Sequence, residues 1–474
     1  MTAGKLLETE GRRDIVLDDA DVADLTRYFR GELIRRDDAS YDSARRIWNG
    51  AIDRYPALVA RCTGVADVIA AVRFAREHEL TVAVRGGGHN VAGTAVCDDG
   101  VVIDLSAMKG MWVDPVARTA RAQPGLLWGE FDHETQRFGL ATTGGIVTHT
   151  GIAGLTLGGG LGWLMRRYGL TCDNVLSADV VTADGELVRA SAEENADLFW
   201  GLRGGGGNFG IVTSFEYRLH PVGPTVLAGV LMHPEARASE VLDFYRHYIA
   251  SAPDELMTIV ALRKAPQDPS LPAEIRGQPV VIVAVCYAGP VEEGERVLAP
   301  LRRFGKPLAD LIQPKLYASH QAMLDATVPH GLGYYWKSES LPPLGDALIA
   351  TLTEHAWRVA TPESYSALFH LGGAVGRVDP DDSAFEDRRA THAMTIDAVW
   401  REPSASGASI AWVQNFWEAV RPHSTGRVYV NFLGQEGEDR VRTAYGAEKY
   451  ERLRALKRKY DPTNFFRMNQ NIVP

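Results

Sequence analysis

Three glycine clusters lie between residues 85 and 210: "RGGGHN" (85–90), "GIAGLTLGGGLGW" (151–163) and "RGGGGNFG" (203–210). Glycine lets a backbone approach a ligand closely and turn its N–H groups toward an anion, so several such loops in one region point to a diphosphate cradle. One cluster alone would read as a tight turn between packed strands. A nicotinamide-binding Rossmann unit needs GxGxxG between a strand and a helix, with an acid about 20 residues on. The first cluster follows the strand-like "TVAVR" but leads into "VAGTAVCDDGVVIDLS", which has no helical period, and no GK[ST] follows any cluster. The Rossmann and Walker A readings therefore both fail. Asn90, Asn174 and Asn208, in or near the loops, are either ligand donors or turn residues.

A chain of 474 residues exceeds one compact core, so two domains are expected, one of them discontinuous in sequence. Apolar residues make up 45% and charged residues 23%, the balance of a globular protein. A net charge of -10 argues against nucleic-acid or anionic-membrane partners, which need a concentrated basic patch. The basic run "RLRALKRK" (452–459) alternates with leucines and reads as a solvated helix face. Cys62, Cys97, Cys172 and Cys286 form no CxxC pair, giving neither a zinc site nor a disulfide framework. The 13 histidines are scattered without HExxH, and His133, beside Asp132 and Glu134, reads as the exposed face of a helix; no metal is expected. The first 22 residues hold no apolar run of signal length, and no stretch reaches the roughly 18 residues of a membrane span. A cytoplasmic soluble protein is the expectation.

Helix-like and strand-like segments alternate in an α+β manner. "ADVIAAVRFAREHEL" (66–80) is a helix, and "LSADVVTADGELVRAS" (176–191) is a hairpin turning at Asp184 and Gly185. At "HPVGPTV" (220–226) two prolines and a glycine mark a boundary, after which long helices alternate with strands such as "PVVIVAVCYAG" and "SYSALFHLGG". The divisions are 1–221, 222–435 and 436–474, the middle one built on antiparallel sheet covered by helices.

"VRGGGHN", "GLTLGGGLGWLMRRYGLTCDNV", "DLFWGLRGGGGNFGIVTSFEYRL" and "KYDPTNFFRMNQNI" together resemble the FAD-linked oxidases of the vanillyl-alcohol oxidase type, in the berberine-bridge-enzyme-like branch near bacterial 6-hydroxynicotine oxidase-like enzymes. The resemblance runs from residue 82 to the C-terminus. It implies a two-domain PCMH-type FAD-binding fold in which 1–221 and 436–474 bind FAD and 222–435 covers the flavin ring. By position, His89 matches the histidine that relatives bond to the flavin C8 methyl, a reaction that needs a neutral imidazole nucleophile on an uncrowded loop. In "GIVTHTGIAG", Val147 stands where many relatives carry a second linking cysteine, so a single link is implied. The cofactor-contact candidates are Arg85, Gly86, Gly87, Gly88 and Asn90, then Gly151, Gly154, Gly158, Gly159 and Asn174, then Gly206, Asn208, Gly210 and Val212, and in the tail Asn469 and Asn471.

Thr150 stands where relatives control oxygen's access to the flavin; read locally, it caps the helix beginning near Gly154. An oxidase holds the substrate C–H over flavin N5 and, for an alcohol, needs a base for the hydroxyl proton. "RVYVNF" (427–432) is expected as a strand whose alternation puts Tyr429 and Asn431 on one face. His370, in "ALFHLGG", is a candidate base, although Phe369 and His370 point to opposite faces and one alone can meet the flavin. Tyr334, Trp336 and Trp400 are possible pocket walls or ordinary core. The implied activity is hydride removal from a small molecule bearing an alcohol, amine or sugar group, with electrons passed to O2 and hydrogen peroxide released. A dehydrogenase with another acceptor, and a flavin-binding protein without turnover, are the alternatives.

Overall fold

The computed structural model describes residues 17, 19–269 and 271–474; most of the N-terminal segment read above for a leader lies outside them. The apolar helix Val65–Glu77 joins strand Leu58–Arg61 to strand Val82–Arg85, and Val101–Asp104 runs parallel to both, between them. Glu32–Ile34 completes this four-stranded sheet at its edge, antiparallel to Leu58–Arg61. A five-stranded antiparallel sheet follows, containing the hairpin Val175–Val181 and Leu187–Ser191, with Gly185 at φ 72° in its turn.

From Thr225 onward the chain builds an eight-stranded antiparallel sheet. Two of its interior strands, Pro279–Tyr287 and His392–Trp400, are buried along nearly their whole length. Such strands read as continuous apolar runs because both faces are covered. Helices Ala238–Ile249, Asp346–His355 and Ser406–Val420 cover one face through Leu242, Tyr245, Leu352 and Phe416. The other face turns toward the glycine loops.

The chain then returns to its first half. Val428, Val430 and Leu433, followed by Tyr445, Tyr450 and Leu453, share a core with Trp128, Leu198 and Phe209, while Phe465 and Phe466 join the core of the four-stranded sheet. Two readings change here. Residues 427–429 form no strand, and Val430–Phe432 is a 3-10 turn, because this stretch crosses between domains without a ladder partner. In the basic helix Ala447–Tyr460, Lys457 is fully buried and donates to Asp461 at 2.7 Å, whereas Arg458 and Lys459 are exposed.

Asp132, expected on an exposed face, is also buried, accepting from Gln321 Nε2 at 2.8 Å; burial pushes its carboxyl up to about 7. All four cysteines are buried with free thiols. Among the described residues no helix is long and apolar enough to cross a membrane.

Candidate active site

A cavity of about 320 Å3 lies between the glycine loops and the open face of the eight-stranded sheet. Its first wall is backbone. Strand Val82–Arg85 delivers Gly86, Gly87 and Gly88, and Gly151 and Gly154 reach the same cavity from the loop and start of helix Ile152–Leu157. A Cβ on Gly87 would stand 2.4 Å from the backbone nitrogen of Gly151, and one on Gly151 would stand 2.4 Å from that of Gly87. The two loops approach this closely because neither carries a side chain. Gly206, Asn208, Gly210 and Val212 line the cavity from the third cluster, and Asn469 from the tail.

Of the asparagines, Asn208 is spent inside the fold, donating to Gly205 O and Gln470 O and accepting from Ile472 N–H. Asn90 accepts from the Thr94 hydroxyl at 3.1 Å. Asn469 keeps a buried side-chain oxygen without a partner.

Gly88, at φ 65°, turns the chain so that His89 faces the cavity. The imidazole stacks on Trp48 with ring centroids 4.3 Å apart, and its Nε2 lies 3.1 Å from Nδ1 of His149. Burial, reinforced by His149 and His330, holds His89 well below the usual histidine range, so it is a neutral imidazole.

The opposite wall is made of side chains. Trp336, Asp397 and Tyr365 sit directly opposite one another on three adjacent strands and all face the cavity. Phe369 lies on the same face, and Phe432 bridges it to Trp336, at ring-centroid distances of 5.5 Å and 5.9 Å. Asp397 is 2% exposed and accepts from the Thr395 hydroxyl at 2.7 Å. Burial pushes its carboxyl up to about 8, against the opposing effects of Thr395 and Arg263.

Tyr429 and Asn431 also line the cavity, brought there by the 3-10 turn rather than by strand alternation. The Tyr429 oxygen accepts from Gly160 N–H at 2.9 Å and from Asn431 Nδ2 at 2.7 Å. Thr150 and Val147 line it as well. Thr150 is not a helix cap, since the N-cap is Gly151.

Several residues expected at the site lie elsewhere. His370 faces away from the cavity, as its neighbour Phe369 faces in. Its Nε2 meets Arg166 at 3.1 Å, and burial, followed by Arg166, pushes it down to about 2. It is a buried acceptor, not a base. Arg85 turns from the cavity to a buried pair with Asp104 at 2.6 Å, a pair whose disruption costs about 3–5 kcal/mol. Asn174 donates to Tyr168 O and Leu170 O. Gly158 and Gly159 make room for Asn431 and for Phe385 with Tyr429, behind the cavity wall. Asn471 does not reach the cavity. Tyr334 stacks on Trp48 from outside, at 3.7 Å between centroids, and Trp400 belongs to the helix-covered core.

Trp48, His149, Tyr365 and Asp397 carried no assignment in the sequence, and of the pair Phe369 and His370 it is Phe369 that faces the cavity. For Asp397 a signal was present: it is the single acid inside the strand-like "HAMTIDAVW". Trp48 had none, because its approach to His89 depends on the backbone bond from Trp48 N–H to Gly88 O.

A closely apposed glycine cradle facing a sheet-borne wall with one buried acid suits a flavin-binding oxidoreductase, the class to which comparison with known proteins assigns the chain. A model of the FAD binding domain matches residues 56–191, and one described as berberine and berberine-like matches residues 428–473. The chain belongs to the FAD-linked oxidoreductases of the berberine and berberine-like family. It is 32% identical to (R)-6-hydroxynicotine oxidase of Paenarthrobacter nicotinovorans, covering 94% of this chain and 97% of that one. An FAD-linked oxidoreductase of Dictyostelium discoideum is also 32% identical, over 94% and 95% of the two chains. The crystal structure of 6-hydroxy-D-nicotine oxidase from Arthrobacter nicotinovorans superposes with a TM-score of 0.86 at 29% identity, covering 94% and 98%. The fold is the PCMH-type FAD-binding fold of these enzymes, and FAD is the cofactor.

Proposed function

We propose that this protein is an oxidase whose FAD is attached through His89 alone and whose substrate is a small molecule carrying an oxidisable alcohol or amine. The observation that carries the reading is one cavity with Asp397 on its sheet wall and the His89 loop on its glycine wall. Bound FAD supplies the two-electron acceptor that takes hydride from the substrate C–H and returns both electrons to O2 as hydrogen peroxide.

The remaining chemistry falls to the chain. The glycine loops accept the cofactor where any Cβ at Gly87 or Gly151 would collide with backbone. His89 is neutral and held by His149, the state a nucleophilic imidazole requires. Val147 offers no second linking atom. Asp397, as carboxylate, takes the O–H or N–H proton as the C–H bond breaks, leaving a carbonyl or imine. Tyr429 and Asn431 form one hydrogen-bonded unit that fixes the Gly160 loop beside the cavity. Thr150 lines the cavity where relatives control oxygen's access.

The test is made on the purified holoprotein. Substrate should bleach the flavin anaerobically, air should restore it rapidly, and peroxide should appear in equal amount. Slow restoration in air overturns the oxidase assignment in favour of a dehydrogenase. Flavin that no alcohol, amine or sugar reduces overturns turnover itself.

A further inference from the structure

Behind the cavity, one pair of side chains joins the two halves of the molecule. Helix Trp128–Thr135, from the glycine-loop half, carries Asp132, and helix Tyr317–Gln321, from the half that builds the eight-stranded sheet, carries Gln321; each is 1% exposed. The Gln321 amide nitrogen gives one hydrogen to Asp132 Oδ2 at 2.8 Å and the other to the carbonyl oxygen of Gly145 at 3.1 Å. A carbonyl can only accept, so Gly145 fixes which end of the amide is nitrogen. Each partner is left with one buried oxygen that meets no donor among the described residues, Oδ1 of Asp132 and Oε1 of Gln321.

Asp67, equally buried, accepts from the N–H groups of Arg30 and Thr63 and from the Thr63 hydroxyl, the setting of a carboxylate. Asp132 accepts one hydrogen bond and meets no cation among the described residues. A proton on its Oδ1 makes the acid a donor for Oε1 of Gln321, and both unpaired oxygens are then satisfied together. Burial accordingly pushes the Asp132 carboxyl up to about 7, opposed by the bond from Gln321. The groups around the pair supply no counter-charge. Burial, then the charges of Asp132 and Cys286, pushes Tyr317 well above the usual tyrosine range, and burial, then Lys315, pushes His320 down to about 3, so both are neutral. The charge of Lys315 acts on Cys286 and His320, Glu130 pairs with Lys109, and His133 and Glu134 are exposed.

The pair holds the loop that reaches the flavin side of the cavity. Gly145, Ile146, Val147 and Thr150 line that cavity, and His149 meets His89. The segment that follows Gln321 grips the loop a second time, where Thr148 N–H donates to Asp325 at 2.8 Å. We propose that Asp132 and Gln321 form a proton-locked latch between the two halves, closed while the acid shares its proton with the amide and released when that proton leaves for solvent, which frees Gly145 and the loop behind Thr150 and His149. Asp132 is a positioning residue that touches neither cofactor nor substrate. Because its folded value lies above the unfolded value of about 4, its contribution to closure is complete below that lower value and is lost as pH rises through about 7.

The test is amide hydrogen exchange on the intact holoprotein at about pH 5.5 and about pH 8.5, with rates corrected for the intrinsic effect of pH. Protection over residues 142–150 and 317–327 should fall at least about tenfold between the two. Asp132→Asn puts an amide where the protonated acid stood and can keep both hydrogen bonds at every pH, so its protection should stay high at both. Gln321→Ala should be low at both. Equal wild-type protection at the two pH values overturns the latch, and that comparison needs no variant to fold. So does an Asp132→Asn protein, shown to retain flavin, whose protection falls with pH as the wild type's does, the result expected of a pair that only packs the junction. Exchange over strand His392–Trp400 reports Asp397 separately. None of these readings requires turnover, so the latch and the oxidase reading fail independently.

Discussion

The two walls of the cavity are built by opposite means. The cofactor wall is backbone, with Gly87 and Gly151 so close that neither tolerates a side chain. The opposite wall is all side chain, with Trp336, Tyr365 and Asp397 projecting from three successive strands of the chain. A backbone wall presents the same N–H groups wherever the glycines are kept, so it suits an invariant cofactor. A side-chain wall changes chemistry with each substitution and decides what is oxidised. On the proposed function, the division assigns cofactor attachment and occupancy to one wall, and turnover and selectivity to the other.

The sharpest way to break that division is His89→Ala. Acid precipitation should leave the yellow colour in the pellet with the wild-type protein and release all of it to the supernatant with the variant. Release from the wild type would end the covalent-link proposal while leaving FAD binding untouched. Asp397→Asn should act on the other wall alone, lowering turnover about 100- to 10,000-fold with flavin content unchanged.

The same residue sets a pH dependence. Because burial raises Asp397 to about 8, the carboxylate proposed as proton acceptor grows in as pH rises, so the wild-type rate should climb through that value and the Asn variant should lack this limb. Stability moves the other way. The fold favours the protonated acid, so its contribution is complete below the unfolded value near 4 and is lost as pH rises through about 8.

Gly87→Ala should be milder. Forcing a Cβ against Gly151 costs about 1–3 kcal/mol of overpacking, read as lower FAD occupancy and a lower melting temperature. The smallest effect is expected from His370→Gln. Glutamine can still accept from Arg166 on the far side of the sheet, so turnover should stay near wild type, and a large loss would return His370 to the list of candidate bases.

The cofactor half was largely legible in the chain. Glycine runs carry a local requirement, close backbone approach, and Gly86 to Gly88, Gly151, Gly206 and Gly210 all face the cavity. Even there the side chains misled. Arg85 and Asn174, beside the loops in sequence, are turned into the fold by Asp104 and by the carbonyls of Tyr168 and Leu170.

The sequence by itself determined the α+β class, the glycine cradle and the absence of a cysteine at Val147, because each depends on residue type and local spacing. Tertiary structure alone decided that Phe369 rather than His370 faces the cavity, that Trp48 stacks on His89, and that Asp397 meets Trp336 and Tyr365 in one row. The physical reason is strand register. A shift of one residue reverses every side chain on a strand, and pairing between distant strands is settled by the whole buried core rather than by any one of them.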